Sequence, residues 1–218
     1  MAINTYADLV KEIRNWSNRK DLTDDEIQSF VYFAGSLANQ ALRVVAMENS
    51  VILDVTDDGH CVIPFDFQEL RSLTASFNSS SSVPLERVAW DQYINYVNDA
   101  TWSDKTPRFF ARQGPYWFLA PAPNVATKLT CHYYRTMPDI SDTEPTNWLI
   151  DMSPMCYLYG SLHFLFLYVF DEERAAFWQE KFKGEIERLQ NMNDTAEYRG
   201  TSLTVRNRTT QGANNNGL

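Results

Sequence analysis

Apolar positions recur with a helical period in two segments near the start of the chain, 5–17 and 22–44. Thr5 and Asp8 have the spacing of an N-terminal cap, and Thr23 and Glu26 have that of a capping box. The pattern therefore predicts two amphipathic helices, the second of them longer. Their apolar stripes consist of Tyr6, Leu9, Val10, Ile13 and Trp16, and of Ile27, Phe30, Val31, Ala34, Leu37, Ala38 and Leu42.

After Met47 the helical period gives way to short runs of β-branched and aromatic residues that are separated by turn residues. The segment 50–64 is typical of a hairpin with Asp58 and Gly59 in its turn. Further strands are predicted over 70–77, 83–89, 108–121 with a bend at Gly114, and 127–137, with one short helix over 90–100. About six strands are expected in total.

Ser153 is predicted to cap a further helix, and from there the pattern is helical again and apolar on all sides as far as Phe170. This run of about 14 residues is shorter than the roughly 20 that a bilayer-spanning helix needs, so we expect a helix buried in protein. Asp171 is predicted to cap a last helix. The apolar stripe of that helix consists of Ala175, Trp178, Phe182, Ile186 and Leu189.

Three amphipathic helices can cover most of one helix that is apolar all round. The predicted fold class is therefore α+β: the N- and C-terminal helix pairs, within 1–48 and 150–198, form a helical bundle, with an antiparallel β-rich lobe (sandwich or barrel) inserted at 49–149. The surplus aromatic residues of 157–170 suggest further burial against another subunit. An extended C-terminal tail, 199–218, has three arginines and no acidic residue. It is either frayed or ordered on a partner.

Composition narrows the classes of function. A formal net charge of −9 argues against a sequence-reading nucleic-acid module, because such modules carry basic surfaces that displace counterions from phosphates. Cys61, Cys131 and Cys156 have no CxxC spacing and leave an odd residue, so we interpret them as small buried apolar side chains in a reducing compartment. The first ten residues lack the basic start and apolar run of a signal peptide.

The motifs of common enzymes and cofactor sites are missing from the sequence, namely the P-loop, GxGxxG, HExxH and GxSxG. His60, His132 and His163 fall in a predicted hairpin, a strand and a buried helix, and none has a second ligand at helical spacing. We therefore expect no catalytic residue, no cofactor and no metal. The aromatic cluster 109–118 leaves a sugar platform open, although aromatic strands more often belong to a core.

Five fragments of the chain follow one another in an order that is familiar from one family. They are TYADLVKEIRNWSNRKDLT, IPFDFQELRSL, PLERVAWDQY, TPRFFARQGPYWFLAPAP and the long segment from YYRTMPDISDTEPTNWLIDMSP through YLYGSLHFLFLYVF to DEERAAFWQEKF. In this order they resemble the head-to-tail adaptor (connector) proteins of tailed bacteriophages, the class that includes tail tubular protein A. The resemblance runs from about Thr5 to Leu189 and leaves out the tail after Arg199.

The resemblance implies a structural role and no enzymatic activity. Such proteins pair a helical bundle with a β-rich lobe and form a ring of about twelve identical subunits beneath the portal protein. The ring receives the tail nozzle or tail tube protein, and DNA passes through its lumen without sequence-specific binding. The expected location is the head–tail junction of the virion, after assembly in the host cytoplasm, with no membrane partner.

Interface residues are therefore the candidates for functional sites. In related adaptors a C-terminal extension climbs onto the portal, which would make Leu203, Val205, Arg206 and Arg208 portal-binding residues. Candidates for a contact between subunits or lobes are Trp148, Tyr157, Phe164 and Tyr168. For Trp148 and Tyr157 the alternative is simple core packing. Two other functions stay open: a stopper or tail-completion protein, and a carbohydrate-binding or depolymerising tail component.

Overall fold

Six α-helices and eight strands make up the part of the chain that the structure describes, residues 2–77, 81–98, 106–123 and 125–198 of a computed structural model. The helices are α1 Tyr6–Ser17, α2 Asp24–Ala41, α3 Trp90–Asn98, α4 Trp148–Met152, α5 Pro154–Tyr168 and α6 Glu172–Tyr198. The strands are β1 Glu48–Asp54, β2 His60–Val62, β3 Phe67–Phe77, β4 Ser81–Pro84, β5 Glu86–Arg87, β6 Phe109–Gln113, β7 Tyr116–Ala120 and β8 Thr127–Arg135. The predicted α+β class is confirmed.

Polar side chains start the helices largely where the sequence predicts. Thr5 accepts a hydrogen bond from the Asp8 amide, and the Thr23–Glu26 capping box is complete. Asp171 Oδ1 likewise accepts from the Arg174 amide at the start of α6. Ser153 is at the N-cap position of α5, but the prediction that it caps the helix is wrong. Its hydroxyl instead donates to Glu185 Oε1 on α6, at 2.7 Å.

The eight strands form two sheets of four. One has the order β1-β8-β3-β4 and is antiparallel throughout; the other has the order β2-β7-β6-β5, in which only β5 and β6 are parallel. Of the two β architectures left open, these strands form facing sheets, with no closed barrel among the strands described. The predicted strand over 83–89 divides into β4 and β5, so the chain passes from one sheet to the other near Leu85.

The hairpin predicted over 50–64 is wrong, although its turn is right. Gly59 has φ 75°, and its amide donates to the Thr56 carbonyl at 2.9 Å. The strands on either side, however, enter different sheets: β1 pairs with β8 and β2 pairs with β7. Turn chemistry specifies that the chain reverses but not which strand β1 pairs with. In this fold β8 pairs with all seven residues of β1. The hairpin at Gly114, between β6 and β7, is confirmed.

A buried apolar core fills the space between the sheets. The β1-β8-β3-β4 sheet contributes Leu73, Ala75, Leu129, Cys131 and Tyr133, and the other contributes Cys61, Phe110, Trp117 and Leu119. Helix α3 packs on the outer side of the second sheet, where Tyr93 clusters with Ala111 and Ala120. The β-rich part is therefore a sandwich with one helix on its flank.

Helix α5 lies at the centre of the helical part, in contact with α1, α2, α4 and α6. Nine of its fifteen residues are buried, so this chain itself covers most of the apolar run. Gly160 makes the approach close: a Cβ atom there would lie 2.7 Å from Ala34 Cβ and 3.0 Å from the Phe182 ring. No helix within the described ranges is long and apolar enough to span a bilayer.

The segment after β8 joins the sandwich to the bundle. Met137 and Ile140 belong to the apolar core of the bundle. The Asn39 side chain of α2 holds Met137 from both sides, since its Oδ1 accepts from the Met137 amide at 3.0 Å and its Nδ2 donates to the Met137 carbonyl at 3.3 Å. The division into separate domains at residues 48, 149 and 198 stays a prediction.

Candidate assembly surfaces

The predicted portal-binding residues Leu203, Val205, Arg206 and Arg208 all lie in 199–218, outside the described residues. The four predicted interface residues lie in the bundle, at very different depths. Their surroundings separate those that hold the bundle together from those that face solvent.

Tyr157 is fully buried and packs against Gly35 of α2. Its hydroxyl accepts a hydrogen bond from Asn147 Nδ2 at 2.8 Å. Asn147 also starts α4, because its Oδ1 accepts from the amides of Leu149 and Ile150. Tyr157 thus fastens α5 to the segment that arrives from the sandwich. Trp148 is half-buried against the same core.

Phe164 and Tyr168 are nearer the surface. The Phe164 ring is half-buried and lies 5.3 Å, centroid to centroid, from that of Phe33 on α2. Tyr168 is 53% exposed, and its hydroxyl donates to Glu26 Oε1 at 2.8 Å. This hydrogen bond ties the end of α5 to the first turn of α2.

An aromatic cluster extends across α1, α5 and α6. Trp178 lies at its centre, with ring centroids 5.7 Å from Trp16, 5.6 Å from Tyr159 and 5.0 Å from Phe177. Trp16 and Phe177 remain 44% and 50% exposed. We call this surface the arginine-lined aromatic face, because Arg19 and Arg174 line the groove beside it.

Both arginines of the arginine-lined aromatic face are ion-paired. Arg19 pairs with Asp21 and Arg174 with Asp171, while the described residues that line the groove itself include no carboxylate. Lys181 lies 5.4 Å from the centre of the Phe177 ring and has no ion pair with any described residue. The face therefore combines exposed aromatic rings with two ion-paired arginines and one lysine that stacks on Phe177.

A second exposed surface follows the outer side of α2. Tyr32, Phe33 and Leu37 are all at least 40% exposed. Asp25 lies two turns before Tyr32 on the same side of the helix and makes no ion pair within the described ranges. Because α2 has three carboxylates in its first turn, one of them paired with Arg14, and no lysine or arginine, we call this surface the acidic α2 face.

The acidic α2 face borders a groove between α2 and α6. The groove has a volume of about 250 Å³, and its lining is largely apolar, although one lysine and one glutamate, Lys183 and Glu187, also line it. His163 forms part of the floor and is buried. Its Nδ1 lies 2.9 Å from the Ala175 carbonyl, which can only accept, so in the neutral ring the proton is on Nδ1 and Nε2 is an acceptor.

The two faces lie on opposite sides of α5. Tyr157 and Phe164 point to α2, whereas Tyr159 contacts Trp16 and Trp178, and Phe166 lies under Arg174. Residues two apart on an α-helix differ by about 200° around its axis. The bundle therefore presents two unlike aromatic surfaces that point away from each other.

Metal-ligating and thiol side chains do not form a reactive site in the part of the chain that the structure describes. No group of three or more His, Cys, Asp or Glu side chains is placed there to hold a metal ion. The three cysteines are free and buried, as predicted, and burial raises the pKa of each thiol to about 12. None of them is therefore a ready nucleophile near neutral pH.

The aromatic cluster on the strands belongs mostly to the core. Phe110 and Trp117 are buried between the sheets, and Phe118 packs against Trp90 of α3. Tyr116 is exposed, at 38%. The described strands therefore do not present this cluster as an open platform for a sugar.

Sequence reasoning missed the two exposed faces. It placed Trp16 and Leu37 in buried stripes, yet both are at least 40% exposed. Tyr32 and Phe33 did not belong to the stripe of α2. The signal for an exposed face is a large apolar residue outside the apolar stripe, because an amphipathic helix normally carries polar residues there.

One comparison with known proteins identifies a family, and another finds no match. No curated protein matches the sequence. The family model of the SU10 adaptor proteins, in contrast, matches residues 4–208, which is nearly the whole chain and includes both faces of the bundle. The chain therefore belongs to the SU10 adaptor protein family.

Proposed function

We propose that this protein is the head-to-tail adaptor of a tailed bacteriophage, a ring of about twelve copies docked beneath the portal. As a phage adaptor, the chain is a structural component that associates with other virion proteins. The finer proposal concerns its place and assembly: it joins the portal to the tail nozzle or tail tube protein at the head–tail junction, after assembly in the host cytoplasm. DNA passes through the lumen of the ring.

The observation that carries the proposal is the family match combined with the two unlike faces of the bundle. A closed ring of identical subunits needs a heterologous interface, in which each copy presents two different surfaces. Exposed aromatic residues are enriched at the centres of such interfaces. The arginine-lined aromatic face and the acidic α2 face meet both requirements.

The charge of the chain supports the passage of DNA. A protein that neutralises phosphates with Lys and Arg releases counterions and gains affinity. With a net charge of −9, this chain has an excess of carboxylates that would repel the DNA backbone. A ring of such subunits would let the genome slide without adhering to the wall.

The C-terminal tail is the proposed portal anchor, and its deletion tests the function. Leu203 and Val205 would add strand-like contacts, and Arg206 and Arg208 charge-assisted hydrogen bonds to portal carboxylates. A variant that ends at Gly200 should lose binding to purified portal in a pull-down while its thermal unfolding stays unchanged. Undiminished portal binding by the truncated chain would contradict this role of the tail.

A further inference from the structure

We propose that the turn between α5 and α6 binds the tail-side neighbour, the tail nozzle or tail tube protein, and that Phe170 is the anchor of this contact. The partner presents an apolar pocket that receives the Phe170 ring. This inference rests on the proposed function and adds which end of the subunit meets the tail.

Phe170 has a backbone conformation that usually belongs to glycine. It follows the end of α5 with φ 60°, in the left-handed region. Its amide donates to the Leu167 carbonyl at 3.1 Å, and the Asp171 amide donates to the Phe166 carbonyl at 2.9 Å. These two hydrogen bonds form a Schellman motif, in which glycine is the usual residue at this position. A bulky residue such as phenylalanine is strained there.

The Phe170 ring contributes little to the packing of its own chain. The residue is 91% exposed, and its neighbours Leu167 and Tyr168 are 44% and 53% exposed. The end of α5 is therefore an apolar tip of three side chains. Exposed apolar clusters mark interaction sites, and strained residues concentrate at functional sites. The benefit of a phenylalanine at this position therefore lies outside the isolated chain.

Charge does not select the partner of this tip. Asp171 is paired with Arg174. Glu172 and Glu173 occupy the first turn of α6, where the helix dipole stabilises carboxylates without a cation. The contact is therefore apolar, and an aromatic anchor that fills a pocket of the partner is a typical hot spot of an interface.

The length of α6 indicates which neighbour the tip meets. The helix has 27 residues and is therefore about 40 Å long. Phe170 precedes its first turn, whereas the C-terminal tail continues from its last residue, Tyr198. In the proposed function that tail binds the portal, so the shortest connection places the C-terminal end of α6 on the portal side. The Phe170 tip then lies at the opposite, tail-side end of the subunit.

The test removes the ring and compares binding on the two sides of the subunit. Phe170→Gly in the full-length chain relieves the backbone strain, so its melting temperature should not fall below that of the wild type. Its binding to purified portal in a pull-down should be unchanged. The affinity of the portal-bound chain for the purified tail nozzle or tail tube protein should fall at least about tenfold, as for the loss of a hot-spot residue.

Phe65→Ala is the matched control. Phe65 is likewise fully exposed, but it lies in the loop between β2 and β3 of the sandwich. This variant should bind the portal and the tail-side protein with the affinities of the wild type.

Three results would overturn the inference. Undiminished binding of Phe170→Gly to the tail-side protein would mean that the ring is not the anchor. Loss of portal binding in this variant would mean that the tip is not confined to the tail side. A melting temperature below that of the wild type would mean that the ring serves the fold of its own chain. If the wild type binds neither protein, the proposed function fails as well; the first three results leave it standing.

Discussion

At the scale of single residues, Gly160 determines how closely the helices of the bundle approach. It is the position of α5 at which Ala34 of α2 and Phe182 of α6 meet. Any added side-chain atom would need space that the two neighbours already fill. A glycine in a helix costs about 1 kcal/mol relative to alanine, so the close packing offsets that cost.

Gly160→Ala should lower the free energy of unfolding by about 1–3 kcal/mol, the usual cost of overfilling a packed core. Gly184→Ala on α6 is the matched control, because a Cβ at that exposed site would meet no described side chain within 4 Å. That change should raise stability by up to about 1 kcal/mol through helix propensity. Urea unfolding curves measure both. Equal effects of the two substitutions would contradict the packing argument.

At the scale of elements, a polar network fastens the start of α5 to α6. Glu185 accepts hydrogen bonds from Ser153 Oγ at 2.7 Å and from the Arg188 guanidinium at 2.8 and 2.9 Å. The hydrogen bonds from Arg188 lower the pKa of Glu185 the most, and the hydrogen bond from Ser153 lowers it further. The carboxylate is therefore favoured in the folded state.

This network should make the bundle sensitive to acid. Because the folded pKa of Glu185 is below its unfolded value of about 4.3, its stabilising effect is complete above that pH and is lost as the pH falls through the folded pKa. The difference in unfolding free energy between wild type and Glu185→Gln should therefore shrink between pH 6 and pH 3. Glu187→Gln, at an exposed site on the same helix, is the control. A difference that stays constant with pH would contradict the effect.

The elements also show what local sequence can and cannot predict. The caps at Thr5, Thr23 and Asp171 were predictable because each depends on residues three positions away. The partner of β1 was not, because β8 lies more than seventy residues further along the chain. The exposed faces were missed for a similar reason, since a helical period cannot say which sides of a bundle its own helices will cover.

At the scale of the whole molecule, the chain covers its most apolar helix but leaves aromatic surfaces on two sides. Helix α5 is mostly buried, whereas Trp16, Tyr32, Phe33 and Phe177 are each at least 44% exposed. Exposed apolar surface of this kind marks interaction sites on soluble proteins. Membership of an adaptor family and this uneven surface agree on a molecule that works by holding its neighbours.

The most direct test of that claim is the mass of the complex that the purified full-length chain forms with its purified portal, measured by native mass spectrometry. We expect one species in which about twelve copies of the chain are bound to one portal ring. A uniform complex with another number of copies would favour a stopper or tail-completion protein. A chain that remains monomeric and does not bind the portal would contradict the account.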